Sequence, residues 1–343
     1  MRIVIVTDAW TPQVNGVVTT LTATQAELTA RGHDVRMITP QDFLTVPCPT
    51  YPSIRLAILP GRRVARVLED FRPQSIHIAT EGPLGHAARR WCLSHGLPFT
   101  TSFHTQFPEY IRARVPFPRR WTYAFLRRFH AAAVRTMVAT ASQRDRLLAR
   151  GFRNLVLWSR GVDISLFRPG EKSFIEGPRP IAMYMGRVAV EKNIEAFLAL
   201  DLPGSKVVVG DGPDLERLRT AWPGVRFTGQ KRGAELARWL AAADVFVFPS
   251  QTDTFGLVLL EAMACGVPVA AYPVTGPIDV VEQGVTGVLD EDLGRAVTRA
   301  LTLDPAACVT AAASRSWAAC TEAFEAHLER FDFPDRRIRA VGA

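Results

Sequence analysis

Short runs of apolar, often β-branched residues recur along this chain, each closed by glycine, proline or a charge. The first, "RIVIVTD", is continuously apolar, which predicts a strand buried on both faces of a parallel sheet. The sequence then turns at Gly16, has helical character to about Ala30, breaks at "RGH" and returns as a strand in "DVRMITP". Such a β-loop-α-β unit is the element of doubly wound α/β sheets. "SIHIAT", "FTTSFHT" and "TMVATAS" predict further strands. The rhythm restarts in the second half, where "IAMYMGR", "KVVVGDG", "VRFTG", "VFVFPS" and "PVAAYP" alternate with helical stretches such as "AELARWLAAA". Between the halves, "RGVDISLFRPGEKSFIEGPRP" is rich in glycine, proline and charge and predicts a linker. The pattern is that of two α/β domains joined near residues 161–180. Their strand carboxyl ends would face each other across a cleft, where ligands bind in such sheets.

Composition narrows this picture. A chain of 343 residues suits two domains, and 48% hydrophobic content excludes bulk disorder. The five cysteines have no metal-like spacing and are odd in number, which predicts reduced thiols in a cytoplasmic protein. The apolar run Ile3 to Val6 is too short for a signal peptide, and no window approaches the ~18 apolar residues of a membrane span. A net charge of +8 favours an anionic partner such as a nucleotide, a nucleic acid or an acidic lipid surface.

The chemistry concentrates in "TDTFGLVLLEAMACGVPVAAY", where Asp253 and Glu261 interrupt an apolar helix-and-strand sequence. Buried carboxylates are costly unless something pairs with them. Asp253 follows the strand "VFVFPS", and Thr254, Phe255 and Gly256 are expected to form the first turn of the next helix. The free amides and positive dipole end there favour a phosphate, and Gly256 permits close approach. Glu261 could accept from a pair of sugar hydroxyls. The competing reading makes Asp253 a helix cap and Glu261 an exposed helical residue. "MGRVAVEKN" adds Arg187 and Lys192 in a strand-to-helix loop, as a diphosphate site would need. "VGDGP" is another tight turn at a strand end, and "DED" at 290–292 predicts a solvated helix start.

Taken in order, "VNGVVTTL", "HTQFPEY", "RGVDISLFRP", "GRVAVEKN", "GDGP", "ADVFVFPS", "TDTFGLVLLEAMACGVPVAAY" and "GPIDVVEQGVTGVL" resemble glycosyltransferase family 4 across nearly the whole chain. The resemblance implies the GT-B fold, two Rossmann-like domains facing each other, and a retaining transfer of a hexose from a nucleotide sugar. It implies an acceptor-side domain over 1–165 and a donor-binding domain over 166–317, with a last helix (about 318–343) crossing back onto the first. Gly16 and its loop would approach the donor, and His104 would stand beside the transferred sugar. Arg187 and Lys192 would neutralise the leaving diphosphate with no metal or other cofactor. The amides around Phe255, Gly256 and Leu257 would hold phosphates and hexose, with Thr254 beside them. Asp253 would bind hexose hydroxyls, Glu261 the ribose, and the backbone from Phe227 to Gly229 the base. The family has two glutamates where this chain has Asp253 and Glu261, so the first acid is one methylene shorter. Lipid-directed relatives also have aspartate there.

In "FPEYIRARVPFPRRWTYAFLRRFHAAAVRTM", a helix over 119–137 would place Trp121, Phe125, Phe129, Ala132 and Ala133 on one face, with Arg120, Arg127, Arg128 and Arg135 beside it. Such a surface suits an anionic bilayer, with Tyr110 on the acceptor side. An ordinary helix with its apolar face in the core has the same pattern. The expectation is a UDP-linked hexose donor and a lipid acceptor such as diacylglycerol, at the inner face of a membrane. The alternatives are GDP-mannose and a saccharide acceptor. A dinucleotide oxidoreductase would require GxGxxG after the first strand, and "TDAWTPQVNG" lacks it. No nucleic-acid recognition motif accompanies the positive charge, so nucleic acid is not an expected partner.

Overall fold

The structure, a computed structural model, describes residues 1–13, 15–48, 51–104 and 119–334. Two six-stranded parallel sheets account for the strand candidates. The first holds β1 (Arg2–Val6), β2 (Asp34–Ile38), β5 (Ser75–Ile78), β6 (Thr100–Phe103), β7 (Arg135–Val138) and β8 (Leu155–Leu157), in the order β2-β1-β5-β6-β7-β8. A two-stranded antiparallel hairpin of β3 (Thr45–Cys48) and β4 (Tyr51–Ala57) stands beside it. The second sheet holds β9 (Ile181–Met185), β10 (Ser205–Val209), β11 (Arg226–Phe227), β12 (Val245–Phe248), β13 (Val269–Ala271) and β14 (Gly287–Leu289), in the order β11-β10-β9-β12-β13-β14. The hairpin, β8 and β14 are additions to the sequence expectation, and "VRFTG" contributes only two strand residues.

Strand alternation divides each core in two. In β1, Ile3 and Ile5 pack with Leu21 and Leu28 of the helix Gly16–Ala30 and with Cys320 and Phe324 of the helix Trp317–His327. Val4 and Val6 point the other way, onto Val64 and Leu68, Leu84 and Ala88, and Phe129. Those residues come from three helices on one face of the sheet, Gly61–Phe71, Pro83–His95 and Arg119–His130. In the second sheet, Met183 and Phe246 pack with Leu259 and Leu260 on one face, and Tyr184 and Val247 with Phe197 and Val297 on the other. Strands buried on both faces read as continuous apolar runs, which is why these elements were visible in sequence.

The chain crosses between the sheets twice. Outbound, Val162 pairs as an isolated parallel bridge with Ser316 on the return, and its N–H donates to the Arg315 carbonyl (2.9 Å). Gly161 marks the crossing, because a Cβ there would lie 2.6 Å from the Trp317 backbone nitrogen. The returning helix, Trp317–His327, covers the first sheet and ends sooner than the predicted 318–343 span, of which 335–343 lies outside the described residues.

Two further expectations change. The helix predicted over 119–137 ends at His130, and Arg135 stands on β7, where it pairs with Glu329 (2.7 Å). The proposed single apolar face splits accordingly. Phe129 and Ala133 are in the core, while Trp121 and Phe125 are 60% and 51% exposed. Thr254, Phe255 and Gly256 do not form a helical turn: the helix runs Leu257–Ala264, with Gly256 at its N-cap at φ +82°. A side chain at that left-handed φ would be strained, so glycine is required where the loop enters the helix.

Candidate active site

The loops at the carboxyl ends of both sheets come together. The helix Gly16–Ala30 is capped by Asn15, whose side chain accepts from the Val17 and Val18 amides at 3.0 Å. A Cβ added to Gly16 would sit 3.4 Å from Cδ1 of Leu257, the first residue of the helix after β12. The Thr254 hydroxyl donates to the His104 carbonyl at 2.8 Å. Gly16, His104, Thr254 and Leu257 are therefore brought together, although 241 positions separate the first from the last.

On the second-sheet side, Lys192 and Asp253 form an ion pair at 2.6 Å, both largely sheltered from solvent. Arg187 follows β9 and is half-buried, and this burial lowers its pKa against the opposing pull of Glu191. Two cations and an acid thus converge at the carboxyl ends of β9 and β12. Asp253 is not the helix cap, a role held by Gly256. Phe255 is buried in the core, which fixes the loop carrying Asp253 and Thr254. Glu261 lies one turn into the helix, and burial pushes its carboxyl up to about 7. Phe227 packs partly against the core at β11, and Gly229 beyond it accepts from the Gly210 amide (3.0 Å), joining the "RFTG" and "GDGP" turns.

On the first-sheet side, His104 follows β6 and is 9% exposed. Arg160, fully buried, donates to His104 Nδ1 (3.0 Å) and to the carbonyls of Trp158 (2.6 Å) and Ser159 (2.9 Å). The His104 ring meets Trp158 edge-on, 5.6 Å between centroids. Burial, then the Arg160 charge, holds the His104 pKa well below the usual histidine range. Beneath it, His77 is bonded to Thr100 Oγ1 (2.9 Å) and Ser102 Oγ (2.7 Å), and burial pushes it down to about 3. Across the sheet, His130 joins Thr101 Oγ1 (2.9 Å) to Glu81 (3.0 Å). Asp8, after β1, accepts from the Leu84 (2.9 Å) and Gly85 (3.4 Å) amides at the start of the helix Pro83–His95, and burial raises it to about 6.

Arg120, Trp121, Arg127 and Arg128 lie outside this constellation, exposed on the helix Arg119–His130, and Tyr110 lies outside the described residues. At 290–292, Asp290 is held by the Arg295 guanidinium (2.5 and 2.6 Å), and Asp292 caps the helix Leu293–Ala300. Sequence reasoning gave no role to Arg160, His77, His130 or Glu81. A charge directly after the apolar "LVLWS" was the available signal for Arg160.

Comparisons with known proteins bear on the family and the fold. Residues 14–166 match the model described as Glycosyltransferase Family 4, and residues 179–302 the model described as Glycosyl transferases group 1. A GDP-mannose-dependent alpha-mannosyltransferase of Mycobacterium tuberculosis is 32% identical over 319 residues, covering 84% of this chain and 83% of that protein. The chain belongs to glycosyltransferase family 4. An alpha-monoglucosyldiacylglycerol synthase of Streptococcus pneumoniae is 26% identical over 89% of this chain and 79% of that protein. The crystal structure of Anabaena HepE in complex with UDP and glucose superposes with a TM-score of 0.70 at 16% identity, covering 94% of this chain and 98% of that one. The fold is GT-B, and this family 4 member is a hexosyltransferase of the retaining kind.

Proposed function

We propose that this glycosyltransferase moves a hexose from a nucleotide sugar to a lipid acceptor, diacylglycerol or a related lipid, while docked on an anionic membrane surface. The observation that carries the lipid reading is an exposed apolar and basic surface on one face of the first sheet. Trp121 and Phe125 project from the helix Arg119–His130, with Arg120, Arg127 and Arg128 exposed beside them. The helix Gly61–Phe71 packs into the same core and exposes Arg62, Arg63 and Arg66. Before it stand Leu44 and Leu59, 83% and 91% exposed. Both helices precede a strand of a parallel sheet, so their N-termini lie at its carboxyl edge, the side of the active site. Exposed aromatics beside arginines are the composition of a membrane-interface surface. Among the described residues no helix is long and apolar enough to cross a membrane.

In the reaction we infer, Arg187, Lys192 and the amides at the start of the helix Leu257–Ala264 stabilise the charge on the departing diphosphate, so no metal is needed. Asp253 and Thr254 bind hexose hydroxyls, Glu261 holds the ribose, and the base rests on the backbone near Phe227 and Gly229. The departing diphosphate takes the proton of the acceptor hydroxyl on the face it leaves. A UDP-linked hexose is the donor expected from sequence. GDP-mannose is the second reading, supported by the mannosyltransferase that is 32% identical.

Incubation with UDP-glucose, UDP-galactose, UDP-glucuronate or GDP-mannose, mixed lipids and excess EDTA tests these points together. A glycolipid product formed with chelator present is expected. Activity lost to EDTA and restored by Mg²⁺ or Mn²⁺ would overturn the metal-free reading, and transfer to soluble saccharide alone would overturn the lipid reading. Binding to anionic liposomes should weaken with salt and when Arg120, Arg127 and Arg128 become Gln. Trp121→Ala should weaken it at low salt with an unchanged melting temperature.

A further inference from the structure

We propose that Arg160 is a positioning residue for hexosyl transfer: by donating to His104 Nδ1, it holds that imidazole as the neutral Nε2–H tautomer. His104 then offers a hydrogen-bond donor to a sugar hydroxyl and does not serve as a general base. The proposal rests on the reading of His104 as standing beside the transferred sugar.

A guanidinium has five N–H donors and no acceptor. An Arg160 nitrogen 3.0 Å from Nδ1 therefore requires a lone pair on Nδ1. A neutral imidazole carries one proton, which must then sit on Nε2. Nε2 is buried and has no hydrogen-bond partner among the described residues. A buried N–H in that state is costly until something accepts from it, and a hydroxyl oxygen of the bound sugar is such an acceptor.

Arg160 is itself held independently of His104. Its guanidinium donates to the Trp158 and Ser159 carbonyls and lies over the Trp158 ring at 4.5 Å. Burial lowers its pKa to about 10, so it stays charged at neutral pH. The ionisable groups facing His104 are Arg160, His77 on β5 and His130 at the end of the helix Arg119–His130, and the Arg160 charge adds to burial in opposing protonation of its ring. From the second half the contact is the uncharged Thr254. The position before Gly161 in "RGVD" thus serves the chemistry of a histidine 56 positions earlier.

Histidine long-range ¹H–¹⁵N spectra of the full chain test this, with the His104 signal assigned by its loss in His104→Asn. The wild type should show the Nε2–H tautomer, unchanged from pH 5.5 to 8.5. An Nδ1–H tautomer, or titration within that range, overturns the proposal without bearing on whether the protein transfers hexose. Arg160→Met removes donor and charge. It should mix the tautomers, introduce an acid limb in the pH profile of kcat and lower kcat about 10-fold, the scale of one hydrogen bond, with little change in nucleotide-sugar KM. Arg160→Lys, which keeps a donor and a charge, should restore the spectrum and profile in part. A folded Arg160→Met protein with unaltered spectrum and pH profile overturns the proposal. If Arg160→Met does not fold, the wild-type and Arg160→Lys spectra decide. A wild type with the expected tautomer but no transfer from any donor sugar would overturn the function reading instead.

Discussion

The two sides of the cleft handle charge in opposite ways. On the second-sheet side, opposite charges stand in contact, Lys192 on Asp253 at 2.6 Å, with Arg187 nearby. On the first-sheet side, burial keeps His77 and His104 neutral among hydroxyls, rings and one buried guanidinium. A diphosphate arriving at the first kind of site can exchange one ion-pair partner for another. A sugar hydroxyl arriving at the second meets fixed hydrogen-bonding groups that need not reorganise. In the function proposed, charge stabilisation and orientation are thus separated within one cleft, each on a different domain.

The largest effect should come from removing the charges. Lys192→Ala and Arg187→Ala should each lower turnover by ~10²-fold or more, the scale for losing a transition-state electrostatic group, with little change in melting temperature. Near-normal rates in both folded variants would erase the contrast between the two sides. On the neutral side the cost should fall on stability. His77→Val leaves the Thr100 and Ser102 hydroxyls without their partner, and denaturant unfolding should show a loss of about 1–3 kcal/mol. Donor affinity at low temperature should be retained. If His77→Val instead abolishes turnover with stability intact, His77 belongs to the chemistry.

Glu261 sharpens the comparison through pH. Its folded pKa, raised to about 7 from 4.5 by burial, means that the folded state binds the proton more tightly than the unfolded chain. Stability from this group is therefore present at low pH and is lost as pH rises from about 4.5 to about 7. Glu261→Gln should raise the melting temperature at pH 8 more than at pH 5, while reducing the stabilisation that a nucleoside diphosphate confers. Equal shifts at both pH values would show that the carboxyl is not held in this way. The smallest effect belongs to Asp290→Asn, which breaks an exposed pair with Arg295. Turnover with and without added divalent metal should be unchanged, and a metal-dependent loss would contradict the helix-start role of 290–292.

The same contrast explains what sequence could reveal. Asp253, Thr254, Gly256 and Glu261 lie within nine consecutive residues, because the loop after β12 and the start of the next helix carry them all. The neutral side is assembled from β5, β6, the residues after β8 and the end of the helix Arg119–His130. Its members are spread from His77 to Arg160, and no local pattern links them. Doubly buried strands were legible as apolar runs, whereas β8 and β14 have only three residues each and fall below that signal. The helix predicted over 119–137 failed at His130 because spacing marks which residues share a face but not where a helix stops. "TMVATAS" already carried a competing strand signal at its end. For Gly256, sequence identified a helix start but could not show that the glycine adopts a left-handed φ one residue before it.

The crossing at Gly161 and Ser316 also sets an order of assembly. One face of β1 is covered by Cys320 and Phe324, which the ribosome makes after every strand of the second sheet. The second sheet can complete its core as soon as its own strands and helices have emerged, since domains fold as units during synthesis. The first sheet, although made earlier, must wait with Ile3 and Ile5 covered only in part, by Leu21 and Leu28, until the helix Trp317–His327 leaves the exit tunnel. Chains truncated before residue 317 and released from the ribosome should therefore be cleaved by protease in the first half while the second half resists. Protection of the first half should arrive once that helix is free.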